Sequence, residues 1–179
     1  IPNLDETLEK AVKYGVFGTK MRSVINHYNE KGIKDVVDQQ FKIGLQIASH
    51  GLVPIIEPET TITSEDREKS EILLHDLIKE HLNNLDDNIK VILKVSIPVN
   101  PHLYDDILLD KHVVRIVALS GGFSQEIANE KLKHIKGLIA SFSRALLENL
   151  TYQQSEAEFD NTISNSINKI YDASVNKQL

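Results

Sequence analysis

Hydrophobic positions along the chain recur with two different spacings, which alternate from one segment to the next. Short apolar and β-branched runs predict five strands, at residues 16–21, 52–56, 89–97, 113–119 and 138–143. Helical spacing predicts helices at residues 5–14, 33–49, 63–85 and 155–173, a short helix that ends near residue 109, and one after Ser124. Two of these helices are predicted to open with a capping box, Thr63 with Asp66 and Ser155 with Glu158.

Strands that alternate with helices, without hairpin turn signals, predict parallel βαβ units in a single α/β domain over residues 1–179. A doubly wound sheet would carry a glycine-rich turn after its first strand, whereas Gly121 and Gly122 follow the fourth. A (β/α)8 TIM barrel carries functional polar residues at the carboxyl ends of several strands. Because polar residues end all five runs, the pattern favours five of the eight βα units, an incomplete barrel.

The composition of the chain indicates which kinds of ligand it is expected to bind. The formal net charge is -6, and no cluster of Lys and Arg with interleaved aromatic residues is present, which argues against a nucleic-acid partner. The chain has no cysteine, which is typical of a reducing cytoplasm. No signal peptide or membrane span is visible, so no membrane partner is expected. These features favour a small-molecule metabolite as the ligand.

Two pairs of opposite charges stand at predicted strand ends, which is an unusual place for them. Glu57 and Glu59 follow a buried run, and Lys20 and Arg22 stand at the end of the strand before it. Residues two apart in a strand share a face, and neighbouring strands lie about 4.8 Å apart. The four side chains are therefore expected to compensate one another, either as a structural ion-pair network or as part of a catalytic site.

Lys94 lies between apolar residues in the predicted third strand. Desolvation favours the neutral form of such an amine, which is a nucleophile able to form a Schiff base with a carbonyl substrate. Glu57 or Glu59 could then move the protons that imine formation requires. The alternative is a lysine whose ammonium group reaches solvent at the strand end.

A phosphate site is predicted where Ser120, Gly121 and Gly122 join the fourth strand to the following helix. Backbone N–H groups at a helix N-terminus bind anions, and glycine permits close approach. Arg144 could add paired donors to the same phosphate; without it, the turn would be an ordinary tight loop. The seven histidines show no metal-ligand spacing, so a metal-independent mechanism is expected.

Taken together, these motifs resemble class I fructose-bisphosphate aldolase in its shorter bacterial form. The resemblance rests on Gly-Leu-Val-Pro-Ile-Ile-Glu-Pro-Glu at 51–59, Lys20-Met21-Arg22, Lys94, Leu-Ser-Gly-Gly at 119–122 and Ser-Phe-Ser-Arg at 141–144. It implies cytoplasmic, reversible cleavage of fructose 1,6-bisphosphate, in glycolysis and gluconeogenesis, to dihydroxyacetone phosphate and glyceraldehyde 3-phosphate. No cofactor or metal would be needed, because the protonated imine takes up the electron pair of the broken carbon–carbon bond.

The resemblance also implies a role for each motif residue. Lys94 would form the imine and Glu57 would be the main proton shuttle, while Glu59 and Arg22 hold the two lysines in place. Lys20 would orient the substrate. The phosphate next to the ketone would be bound by Ser120, Gly121, Gly122 and Arg144, with Ser141 nearby.

Three departures from the family pattern are visible. Val95 follows the imine lysine where animal members have proline, a tolerable variation, and Tyr171 lies inside the last predicted helix where animal members end in a catalytic tyrosine. The first three strands of the family are absent, so the chain is expected to be a truncated aldolase that resembles the C-terminal part of the enzyme. The alternative function is a non-catalytic phosphosugar-binding module, or one that self-associates into a homo-oligomer through its open sheet edges.

Overall fold

Five parallel strands form one sheet in which each strand lies beside the next along the chain. The structure is a computed structural model that describes residues 1–179. Its strands are β1 (Gly18–Ile25), β2 (Val53–Thr60), β3 (Val91–Ser96), β4 (Val113–Leu119) and β5 (Ile139–Ala140). The order β1-β2-β3-β4-β5 contains no switch point, which a doubly wound sheet would have. The prediction of an incomplete barrel is confirmed.

Helices alternate with the strands and cover one face of the sheet. They are α1 (Leu4–Lys13), α2 (Glu30–Ser49), α3 (Arg67–Asn83), α4 (Gln125–Lys133), α5 (Arg144–Leu147) and α6 (Glu156–Val175), with a short 3-10 helix at Ile107–Leu109. Ser124 caps α4 by accepting the Ile127 N–H, and Ser155 with Glu158 forms the predicted capping box of α6. None of the helices combines the length with the apolar composition of a membrane-spanning segment.

The predicted capping box of Thr63 and Asp66 is wrong. Helix α3 begins only at Arg67, and the side chain of Asp66 caps no backbone group. A buried ion pair fixes this helix start instead, because Arg67 Nε lies 2.6 Å from Glu71 Oε1 while Glu71 Oε2 accepts the Val99 N–H. Contacts with the segment after β3 thus replace local capping.

Strand boundaries differ from the prediction at both ends of the sheet. β1 and β2 run on through the charged residues, so Lys20, Arg22, Glu57 and Glu59 lie within strands and not after them. Opposite charges on the paired strands compensate each other, which lets the ladder continue. β5 is much shorter than predicted because the chain turns at Ser143 into α5.

Alternate residues of each strand point to different environments. Ile56, Leu93 and Ile116 belong to a core of 22 buried residues between sheet and helices. The next residue along, such as Glu57 or Lys94, faces the opposite side, which in a closed barrel is the interior. Functional side chains are therefore gathered on the face that the helices leave uncovered.

Candidate active site

Glu57 lies between two lysines. Its Oε2 is 2.6 Å from Lys20 Nζ, and its Oε1 is 3.3 Å from Lys94 Nζ. The carboxylate is only 3% exposed, so the two ammonium groups offset much of the cost of burying its charge. Oε2 has no aligned hydrogen bond, which makes its contact with Lys20 a charge contact without directional bonding. A proton could pass between Glu57 and Lys94 with little movement.

Glu59 pairs with Arg22, the other cation of β1. Arg22 Nε donates to Glu59 Oε2 at 2.7 Å. This hydrogen bond, with the attraction between the charges, raises the pKa of Arg22 above its ordinary value. The predicted compensation of charge between the first two strands is therefore present, in the pairs Lys20–Glu57 and Arg22–Glu59.

Gln40 holds the backbone of Glu57, a contact that sequence reasoning missed. Its Oε1 accepts the Glu57 N–H at 2.8 Å, and its Nε2 donates to the Glu57 carbonyl at 2.9 Å. The signal was present in α2, where the buried residues are Ile33, Val37, Gln40, Phe41, Gly44 and Ile47. A glutamine on this apolar stripe must satisfy its polar atoms inside the protein.

Ser96 holds the backbone of β2 in a similar way, three residues beyond Glu57. Its Oγ accepts the Thr60 N–H at 3.1 Å and donates to the Thr60 carbonyl at 2.7 Å. The backbone ladder between β2 and β3 ends at Ile56 and Leu93. The hydrogen bonds of Ser96 therefore hold β2 and β3 together beyond the end of the backbone ladder, near Glu57 and Lys94.

The turn after β4 is built as the sequence predicted. Gly121 and Gly122 have φ angles of 63° and 109°, and the Phe123 N–H donates to the Ser120 carbonyl at 2.9 Å. A Cβ atom on Gly121 would lie 2.7 Å from Ile62 Cγ2. Glycine is therefore required here both by the left-handed backbone and by the close approach of the loop after β2.

Substituting Gly121 tests whether this packing matters. We expect Gly51→Ala to cost about 1 kcal/mol of unfolding free energy through left-handed strain alone, since nothing lies within 4 Å of its Cβ. Gly121→Ala should cost about 1–3 kcal/mol more, because Ile62 must move, and should weaken binding of inorganic phosphate. Denaturant unfolding and phosphate titration measure both. Equal costs for the two variants would contradict the close packing.

The predicted site residues meet around one cavity of about 320 Å³ at the carboxyl ends of β2, β3 and β4. Eight of the ten predicted residues line it: Arg22, Glu57, Glu59, Lys94, Ser120, Gly121, Ser141 and Arg144. Of the other two, Lys20 contacts Glu57 and Gly122 belongs to the turn. Arg144 approaches from α5, a helix the sequence did not predict. A larger cavity, of about 620 Å³, lies between α4 and α6. None of the ten predicted site residues lines it, so the smaller cavity is the better candidate for the active site.

The C-terminal segment lies away from this cavity. Tyr171 is in α6 and 63% exposed. Lys177 Nζ donates to the carbonyls of Leu132, Leu138 and Ala173, which fastens the segment to the end of α4 and the start of β5. In this arrangement, Tyr171 is not part of the candidate site. No three His, Asp, Glu or Cys side chains come together in a geometry that could hold a metal ion.

The amino-acid sequence is similar to those of known proteins. No family model matches the chain. It is 59% identical over 175 residues to a class 1 fructose-bisphosphate aldolase of Clostridium acetobutylicum, and 51% identical over 175 residues to one of Synechocystis. These matches cover 98% of the chain but only 59% and 58% of the two relatives. The chain therefore spans a little over half the length of each.

Solved structures show the same fold. A fructose-bisphosphate aldolase from Plasmodium falciparum, in complex with TRAP and a small-molecule inhibitor, matches 97% of the chain and 61% of its own with a TM-score of 0.70 at 18% identity. A protein from Corynebacterium glutamicum matches 93% of the chain and 54% of its own, with a TM-score of 0.54 at 12% identity. Over nearly its whole length the chain is thus a sequence relative of the class 1 fructose-bisphosphate aldolases, and the resemblance predicted from its motifs is confirmed.

Proposed function

We propose that this chain carries the imine-forming and phosphate-binding site of a class I fructose-bisphosphate aldolase. The observation that carries the proposal is the placement of Lys94 beside the buried Glu57 carboxylate, in a cavity that also contains the Ser120–Gly121 turn and Arg144. The names of the two sequence relatives support the same activity. Because the chain matches only a portion of each relative, the complete reaction is proposed for a protein of the relatives' length.

The reaction begins with attack of the neutral Lys94 amine on the ketone carbon of the sugar. The nitrogen loses one of its two protons, and the carbonyl oxygen takes up two protons in all and leaves as water, which gives the protonated imine. Glu57 lies 3.3 Å from Lys94 Nζ and is the nearest carboxylate able to take and return these protons. Lys20, on the other side of Glu57, keeps a positive charge beside the carboxylate when Lys94 becomes neutral.

Carbon–carbon cleavage follows from the charge on the imine. The proton of the hydroxyl two carbons from the imine carbon leaves, an aldehyde forms, and the electron pair of the broken bond moves into the protonated imine. The resulting enamine takes up a proton at carbon, and water releases dihydroxyacetone phosphate and free Lys94. Since the imine receives the electron pair, the proposed reaction needs no metal.

The Ser120–Gly122 turn and Arg144 provide the proposed phosphate site. At the N-terminus of α4 the Gln125 N–H already donates to the Glu148 carboxylate. The anion would therefore be bound by the Gly121 and Gly122 N–H groups of the turn. Arg144 lines the same cavity and has no carboxylate partner within 4.0 Å. A guanidinium group left free in this way can bind a phosphate with two parallel hydrogen bonds. Cytoplasmic location and the absence of nucleic-acid and membrane partners stay predictions from the sequence.

Reductive trapping tests the proposed chemistry. The chain is incubated with dihydroxyacetone phosphate and sodium borohydride, both alone and joined to the unmatched portion of the C. acetobutylicum relative. We expect a reduced, stable adduct on Lys94, located by peptide mass mapping, because borohydride reduces an imine to an amine. Reductive labelling spread over exposed lysines such as Lys90, with none on Lys94 in the joined protein, would refute the proposal.

A binding or assembly role is the second candidate, and the open sheet favours it. β1 pairs only with β2, so the backbone groups on its other side have no strand partner. Such an edge is a template for pairing with another chain, including a second copy. Phosphosugar binding without any adduct, together with a dimer in sedimentation experiments, would favour this role over the aldolase reaction.

A further inference from the structure

Gln40 is the only side chain from outside the sheet that contacts the backbone of Glu57 among the hydrogen bonds of the structure. It is 1% exposed and lies on α2, the helix that covers β1 and β2. Both polar atoms of its amide are used, one as acceptor and one as donor. The pair of bonds fixes the position of Glu57 along the strand and its rotation about the strand axis.

The packing of α2 makes this contact rigid. One helical turn after Gln40, a Cβ on Gly44 would lie 3.0 Å from Ile56 Cδ1, so the helix backbone comes close to the residue before Glu57. Phe41, beside Gln40, is 2% exposed and its ring stacks on His81 at 4.5 Å. The amide of Gln40 therefore has little room to shift, and neither has the Glu57 backbone.

We propose that Gln40 is a positioning residue that sets the distance between the Glu57 carboxylate and Lys94 Nζ. This inference rests on the proposed imine chemistry. The carboxylate has contacts with two lysines but no aligned hydrogen bond at Oε2, so its own side-chain contacts direct it weakly. Its position is set instead through its backbone. A misplacement of about 1 Å at such a group can reduce a rate about 100-fold.

Gln40→Leu removes both hydrogen bonds while it keeps an apolar side chain of similar size. In the joined protein we expect kcat for cleavage of fructose 1,6-bisphosphate to fall about 10- to 100-fold. KM should change less than about threefold, because the phosphate site lies on other strands. Gln46→Leu is the matched control, since Gln46 is on the same helix but bonds the exposed Asp5, and its kcat should match the parent.

Gln40→Glu separates positioning from general loss of structure. A protonated carboxyl group can repeat both bonds, with its carbonyl accepting the Glu57 N–H and its hydroxyl donating to the Glu57 carbonyl. An ionised one would place a negative oxygen against that carbonyl. The kcat of this variant, relative to the parent at each pH, should therefore rise as the pH falls, and trapping at Lys94 should rise with it.

The outcomes distinguish this inference from the proposed function. If the parent shows no adduct at Lys94, the proposed function fails and the positioning role fails with it. If the parent is labelled but Gln40→Leu retains its kcat, or Gln40→Glu follows the parent's pH profile, the positioning role alone is refuted. A fall in kcat with unchanged KM, together with recovery of Gln40→Glu at low pH, supports it.

Discussion

Replacing Lys94 with methionine is expected to abolish sugar cleavage in the joined protein, with a fall in kcat of at least about 10⁴-fold. Methionine has nearly the length of lysine but no amine, so no imine can form. Binding of the phosphorylated substrate should persist, because the Ser120–Gly122 turn and Arg144 are unchanged. Steady-state kinetics, borohydride trapping and titration with inorganic phosphate measure the three effects.

Lys90→Met is the matched control for this experiment. Lys90 immediately precedes β3, and its Nζ donates to the Lys111 carbonyl at the surface. Its loss should leave kcat and trapping as in the parent. Cleavage that survives in Lys94→Met, at a rate near that of the Lys90 variant, would show that the amine of Lys94 does not carry the reaction.

Replacing Glu57 with glutamine should reduce kcat about 100- to 1000-fold. The amide keeps the size of the side chain, but it cannot take a proton from Lys94 or return one to the leaving oxygen. It also leaves Lys20 and Lys94 close together without the negative charge between them. The amine of Lys94 is retained, so an imine can still form while proton transfer becomes slow.

This difference gives the Glu57 variant a signature that the Lys94 variant lacks. Extended incubation with dihydroxyacetone phosphate and borohydride should still label Lys94 in Glu57→Gln, only more slowly. Glu65→Gln, at an exposed position before α3, is the control and should behave as the parent does. A Glu57→Gln protein with kcat within about threefold of the parent would remove Glu57 from the proton-transfer steps.

Much of the fold and of the candidate site follows from local patterns. The run at 113–119 matches β4, and Ser124 and Ser155 cap the helices they were expected to cap, because each signal depends on neighbouring residues only. The charged pairs could be predicted to meet because parallel strands place their carboxyl ends at the same edge. Lys20 and Lys94 both contact Glu57, in agreement with this arrangement.

The features that escaped prediction depend on contacts between distant segments. Thr63 and Asp66 have the residue types of a capping box, but the buried Arg67–Glu71 pair and its bonds to the segment after β3 decide where α3 starts. In the sequence Gln40 is only a polar interruption of an apolar stripe, and the packing of α2 on β2 is what brings it to Glu57. No local pattern indicates these tertiary contacts.

The balance of charge around the cavity has a consequence for the phosphate site proposed above. Three cationic side chains and two carboxylates line the cavity, and Lys20 adds a fourth positive charge beside Glu57, on a molecule whose formal net charge is -6. At physiological ionic strength the screening length is about 8 Å, so this local surplus acts only at short range. An anion that approaches from bulk solvent is repelled by the net negative charge of the molecule and is attracted by the cations only once it is close to the cavity. For the proposed sugar-phosphate ligands we therefore expect an additional phosphate group to slow dissociation more than it speeds association.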